Sequence, residues 1–128
     1  MIFPNTTDAV LLRVWAEIDE NGDRRSSVER HLITGWRVRE DGFALPVCPT
    51  LGASDIDRLC GFNVSATEAD FAALYSASTG LMCEYGVAAA EIFECDSIEA
   101  ASAEAKSWAF GAMQWRAEAV TLREAKLL

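Results

Sequence analysis

Residues 10–18 alternate in character, and this period of two constrains the fold more than any other feature of the 128-residue chain. Such alternation predicts a strand with one face buried in a core. Asn21-Gly22 follows, and because Asn-Gly supplies the positive φ angles of a tight turn, the strand is expected to begin a hairpin. The two faces of the strand are Val10, Leu12, Val14, Ala16 and Ile18, and Leu11, Arg13, Trp15 and Glu17.

Two further strands are predicted before a connector that covers residues 48–63. The second strand runs from about Val28 to Val38 and ends before the turn dipeptide Asp41-Gly42. The third covers residues 43–47 and contains Pro46, which has no amide proton to donate and therefore predicts an edge position. The first half of the chain is thus expected to form an antiparallel meander.

Helix signals follow the connector. Three segments carry the capping-box pattern, in which Ser, Thr or Asp precedes Glu by three positions, and they begin at Ser65, Asp96 and Thr121. The first predicts a helix that ends near Ser78, the second a helix over residues 97–110, and the third a last helical turn.

Two more strands are predicted around these helices. One is the β-rich segment 91–94, and the other is the alternating segment 113–120, although the alanines of the second suit a helix equally. The sequence therefore predicts a single α+β domain over residues 1–128. In this fold a three-stranded meander is followed by α-β-α-β, and a sheet of about four to five strands carries two helices packed on one face.

The composition is that of a globular protein, with 51% hydrophobic and 24% charged residues. No apolar run approaches the roughly 18 residues that span a bilayer, and no basic residue precedes an apolar stretch at the N-terminus. A cytoplasmic protein without a membrane partner is therefore expected. Its cysteines are expected to be reduced, and their wide spacing argues against a zinc site. They are Cys48, Cys60, Cys83 and Cys95.

No catalytic, cofactor-binding or metal-binding residue is predicted. His31 is the only histidine, and its position within a predicted strand favours an ordinary surface or interface residue over a catalytic base. The glycines are scattered singly, so no phosphate-binding loop supports a nucleotide cofactor. Carboxylates far apart in the sequence can still meet in space, and an acid–base pair stays an open alternative.

The charge of −9 is unevenly distributed. Between Arg58 and Lys106 lie 47 residues with eight acids and no lysine or arginine, and the halves 1–64 and 65–128 carry −3 and −6. Such a protein repels the phosphates of nucleic acids and attracts a basic protein surface, although acidity also serves solubility. Four acids are predicted to contact a basic partner: Glu91, Glu94, Glu99 and Glu104.

The strands of the first half predict a second contact surface, which we call the Trp/Arg face. Tryptophan and arginine together dominate the energetics of protein interfaces. The alternative is that a helix or loop covers Trp15 and Ile33, which would then form a second small core. The predicted partner-binding residues of this face are Arg13, Trp15, His31, Arg37 and Arg39, accompanied by Glu17, Glu29 and Ile33.

Recognition is therefore the expected function. The sequence favours a non-catalytic protein-binding domain, most concretely an acidic inhibitor of a nucleic-acid-handling machine, of the anti-CRISPR or anti-restriction type that phages carry. One alternative is a structural or assembly subunit of a phage particle or homo-oligomer. Another is a small enzyme or ligand-binding domain with a pocket between sheet and helices.

Overall fold

The computed structural model of the protein describes residues 1–61, 63–87 and 90–126, and these residues form an α+β fold, as the sequence predicts. They contain two antiparallel sheets and two helices, α1 (Ala53–Arg58) and α2 (Ile98–Glu124). The strands are β1 (Ile2–Pro4), β2 (Val10–Ile18), β3 (Arg24–Leu32), β4 (Gly35–Val38), β5 (Ala44–Val47), β6 (Asn63–Val64), β7 (Glu68–Ser76), β8 (Leu81–Glu84) and β9 (Phe93–Glu94).

The larger sheet has six strands, in the order β3-β2-β7-β8-β9, with β6 also pairing with β7. Strand β2 lies inside this sheet, and its Val14 is opposite Val28 of β3 on one side and Phe71 of β7 on the other. The hairpin predicted after β2 is confirmed as the β2–β3 pair. The smaller sheet has the order β1-β4-β5.

Each face of the larger sheet is covered by a different part of the chain. On one face, α2 packs Ala105 into a core that contains Leu12 and Phe71. On the other face, Leu11 lies in a second core with Ile56 of α1 and residues of the smaller sheet. Successive strand residues point to opposite faces, so both cores draw on β2. The prediction that two helices pack on one face is therefore wrong, because the central strands are apolar on both sides.

The segment 65–78, predicted as a helix, is instead the turn after β6 and the strand β7. The predicted capping hydroxyl makes its bonds all the same: Ser65 Oγ accepts from the amides of Thr67 and Glu68 at 3.3 and 3.1 Å. Here these bonds close a hairpin turn, and the Ser65 amide donates to the Glu68 carbonyl at 2.8 Å. Strand pairing on both sides of β7 outweighs the helix propensity of its alanines.

The strand predicted over 113–120 is wrong, because this segment belongs to α2. Its alanines favour the helical conformation, and extending an existing helix is easier than starting a new element. The helix predicted over residues 97–110 is confirmed but runs on to Glu124. Its N-cap is Ser97 rather than Asp96, and Ser97 Oγ accepts from the Ala100 amide at 3.1 Å. No new helix begins near residue 121, which lies inside α2.

The second predicted strand is divided between the two sheets as β3 and β4. The division falls before Gly35, which lies so close to β1 that an added Cβ would be 2.7 Å from the Phe3 carbonyl oxygen. The third predicted strand is confirmed as β5, at an edge of the smaller sheet and with Pro46 in it. The strand predicted at 91–94 is confirmed as the shorter β9.

Candidate functional site

The structure brings together only part of the predicted Trp/Arg face. In the register of β2 and β3, Arg13 is opposite Glu29 and Trp15 is opposite Ser27, and these four side chains line a shallow depression of about 280 Å³. Ile33 is buried in the second core, whereas Trp15 is half-buried. The predicted alternative, a covered second core, therefore holds for Ile33 alone. Arg37 and Arg39 lie apart from this depression, since Arg37 is in β4 of the smaller sheet and Arg39 follows it.

Arg13, which lines this depression, forms an ion pair with a carboxylate of the same chain. Asp70 of β7 accepts from Arg13 Nε at 3.3 Å and Nη2 at 3.2 Å, and from Arg58 Nη1 at 2.6 Å. Burial alone would raise the pKa of Asp70, but the hydrogen bonds from Arg13 and Arg58 outweigh it and the pKa lies below its usual value. Two nitrogens of the Arg13 guanidinium are thus engaged within the chain, and its charge is balanced by Asp70.

The other arginines of the Trp/Arg face are also paired internally. Arg39 Nη2 lies 2.7 Å from an Asp41 oxygen, and its guanidinium sits 5.0 Å from the centre of the Phe43 ring. Arg37 approaches Asp57 of α1 at 3.9 Å. Because each of these charges is balanced nearby, the Trp/Arg face offers a partner less charge than its sequence indicates.

His31 is buried, with 7% of its surface exposed. The prediction that it is an ordinary surface or interface histidine is therefore wrong, because the side chain lies inside the protein. Its Nε2 lies 3.1 Å from Glu29 Oε2, and its Nδ1 lies 2.7 Å from Thr50 Oγ1. An ionised carboxylate only accepts, so Nε2 donates to Glu29, and Nδ1 forms the hydrogen bond with the Thr50 hydroxyl. Hydroxyl, imidazole and carboxylate follow the order of a hydrolase triad. Thr50, however, does not line the depression beside Glu29. Its hydrogen bond with His31 joins the turn after β5 to β3.

Six acids line the β8–β9 edge of the larger sheet and the first turns of α2, and we call this surface the acidic edge. Every ion pair formed among the described residues lies within residues 13–70, so none involves an acid of this edge. Burial and then the charge of Glu91 raise the pKa of Glu84, as expected where acids lie close together without a base. The acidic edge consists of Glu84, Glu91, Glu94, Asp96, Glu99 and Glu104.

Aromatic contacts hold α2 against this edge. The rings of Phe93 in β9 and Trp108 in α2 have centroids 4.8 Å apart, and Trp108 Nε1 donates to Glu104 Oε1 at 3.0 Å. Glu104 thus has a structural contact, and Glu99 lies in the first turn of α2, where a negative charge stabilises the helix dipole. Glu91 and Glu94 are exposed and have neither function.

No protein-family model matches the chain, and neither a curated protein nor a solved structure is significantly similar to it. In the parts of the chain that the structure describes, no three potential metal ligands from His, Cys, Asp and Glu converge on one point. None of the helices in those parts is both long enough and apolar enough to cross a bilayer.

The cysteines differ in the accessibility of their thiols. Cys48 is buried, and burial raises its pKa to about 11, so roughly 0.1% of it is thiolate at about pH 8. Burial also raises the pKa of Cys83 and of Cys95. Cys60 is half-buried and lies beside the buried Tyr85, whose hydroxyl pKa is raised first by burial and then by the neighbouring Cys60.

Alkylation of the folded protein at pH 8 is expected to modify Cys60 first and to leave Cys48 unmodified until denaturant is added. Mass spectrometry of a labelling time course measures the order. The denatured protein is the control, since all four thiols should then react at similar rates. If Cys48 of the native protein were labelled as fast as Cys60, its thiol would be accessible and activated. That result would contradict the structure and would support the alternative that the protein is a small enzyme.

Proposed function

We propose that this chain is a non-catalytic protein-binding domain that docks through its acidic edge on a basic surface of a protein partner. The observation that carries the proposal is the contrast in pairing between the two halves of the molecule. The arginines of the Trp/Arg face are balanced by acids of this chain, whereas the acidic edge has no balancing base among the described residues. Unpaired like charges repel one another in the free protein, and a basic partner relieves that repulsion.

The free acids of the edge identify the central contacts. Glu91 and Glu94 are exposed, and neither side chain forms an ion pair or a helix cap with another residue that the structure describes, so their charges are available to a partner. Glu99 and Glu104 follow them in α2 and add negative charge to the same edge. Both also stabilise the helix, Glu99 in its first turn and Glu104 through its hydrogen bond from Trp108. Trp15 of the Trp/Arg face is partly exposed and its side chain has no hydrogen bond to another described residue, so we assign it a secondary contact.

The kind of partner follows from the field of this surface. A negative surface repels phosphate, so a nucleic acid is a poor ligand, but it complements the basic groove in which a protein holds a nucleic acid. The most concrete form of the proposal is an inhibitor of a nucleic-acid-handling machine in the cytoplasm, of the anti-CRISPR or anti-restriction type. A surface of six acids fits one basic patch rather than the length of a duplex.

The test compares two double variants with the same net charge. Glu91→Lys with Glu94→Lys reverses the acidic edge, and Glu20→Lys with Glu40→Lys reverses two exposed acids outside it. Each protein is used as bait in extracts of its source cells, and affinity for the retained partner is then measured at low and high salt. The edge variant is expected to bind at least about tenfold more weakly and with a flatter salt dependence, while the control stays within about twofold.

Two results would overturn this proposal. Equal weakening in both variants would mean that overall charge, rather than the acidic edge, governs association. Unchanged binding in the edge variant would move the contact elsewhere on the protein, and a matching series at Trp15 would then be the next measurement.

A further inference from the structure

Helix α2 packs on the sheet along only part of its length. Its buried residues are Ala101, Ala105, Ala109 and Met113, spaced four apart. The remaining residues, 114–124, have exposed side chains except for Ala119, which is half-buried. We call these residues the distal segment of α2, and at about 1.5 Å per residue they extend the helix by roughly 16 Å.

An apolar stripe runs along the distal segment. Trp115 is 62% exposed and Leu122 is 41% exposed, and Ala119 lies between them. With Ala112, these residues follow the alternating three- and four-residue spacing of a coiled-coil seam, with alanine at one core position and Trp or Leu at the other. The large side chains of such a seam are stabilised only when a second helix covers them.

The charged residues beside the stripe indicate which helix covers it and in which orientation. In the heptad that puts Trp115 and Leu122 at position d, Glu118 is at position g and Arg123 is at position e of the next heptad. In a parallel pair of helices these two positions lie opposite each other, so Glu118 of one copy meets Arg123 of the other, twice across the two-fold axis. Neither residue has an ion-pair partner among the described residues.

The antiparallel arrangement is disfavoured by the same charges. There, g faces g and e faces e, which would place Glu118 against its own copy and Arg116 against Arg123. We propose that the distal segment of α2 binds the same segment of a second copy of this chain as a short parallel coiled coil. Two heptads bury less than the roughly 800 Å² per partner of a standard interface, so the dimer dissociates on dilution.

The test is sedimentation of the full chain over a wide concentration range. The wild-type mass is expected to rise from 14.0 kDa towards twice that value as concentration increases. E118R and R123E should each weaken dimerisation about tenfold by placing like charges across the axis, and the double variant E118R/R123E should restore it to within about twofold. Trp115→Glu should abolish the dimer, and Glu124→Arg, on the opposite side of the helix, is the matched control.

Each outcome decides the proposal. The substituted side chains are exposed, and their contacts, Gln114 with Glu118 and Arg116 with the Trp115 ring, lie within the helix itself. Thermal unfolding of dilute samples is therefore expected to be nearly the same for all variants, and measuring it separates a loss of dimer from misfolding. A monomer at every concentration overturns the proposal. A dimer that the single reversals do not weaken, or that the double variant does not restore, also overturns it, because the contact then lies elsewhere or runs antiparallel.

Discussion

Replacing Gly86 with alanine is expected to destabilise the protein by about 3 kcal/mol. Gly86 has φ +79°, a conformation that costs an alanine roughly 1–2 kcal/mol. An added Cβ would also lie 2.4 Å from the Gly61 amide nitrogen and 2.7 Å from Cys60 Cα. Both are backbone atoms of the segment after α1, which cannot move away without disturbing the second core, and overpacking of this kind adds about 1–3 kcal/mol.

The matched control is Gly22→Ala in the β2–β3 turn. Gly22 has nearly the same backbone conformation, φ +81°, but an added Cβ there would have no atom of the described chain within 4 Å. Its loss should be about 1 kcal/mol, and the difference between the two variants isolates the close backbone approach at Gly86. Urea denaturation of both variants measures it. Equal losses at the two positions would show that the segments around Gly61 and Gly86 are not in contact as described.

Asp70→Asn is expected to cost about 2–3 kcal/mol near pH 7, because it leaves Arg13 without a carboxylate where only 23% of the arginine side chain is exposed. Asparagine keeps the size of the side chain, so packing is preserved. The control is Glu17→Gln, which removes the partner of Arg25, a side chain that is 64% exposed. An exposed pair contributes about 0.5 kcal/mol or less.

The cost of Asp70→Asn should also depend on pH. Burial raises the pKa of Asp70, but the bonds from Arg13 and Arg58 hold the net value below that of the unfolded chain, about 3.9. A lowered folded-state pKa gives stability that is present above about pH 4 and is lost as the pH falls through the folded value. The free-energy difference between wild type and variant, measured by urea denaturation, should therefore narrow below pH 4. If the free-energy difference between wild type and variant stayed constant down to pH 2, the ion pair of Asp70 with Arg13 and Arg58 could not be the source of that difference.

Much of the fold follows from local patterns. The alternating residues predicted β2, and the capping-box pattern at Asp96 predicted the start of α2 to within one residue. Both predictions succeeded because the local pattern agrees with the tertiary environment. The turn at Ser65 was misleading, since a hydroxyl that accepts from the amides of the next residues serves a hairpin as well as a helix. Only the partner strands of β7 decide between the two, and they lie far away in the sequence.

The candidate surfaces were predictable to different degrees. The acidic edge was visible in the sequence because its acids are close together and no base lies among them. The neutralisation of the Trp/Arg face was not, since Asp70 is 57 residues from Arg13. The contact of His31 with Thr50, 19 residues on, also depends on how the smaller sheet folds back against β3. Pairing across such separations is set by the fold rather than by spacing.

The two parts of α2 are open to different evolutionary change. Ala105 and Ala109 lie fully buried against the sheet, so a larger side chain at either position would be selected against through folding. Residues 114–124 project from the sheet, and substitutions there leave the core intact. A lineage can therefore change the surface of this segment without losing the folded protein, and the rate of sequence change along one helix should rise sharply after Met113.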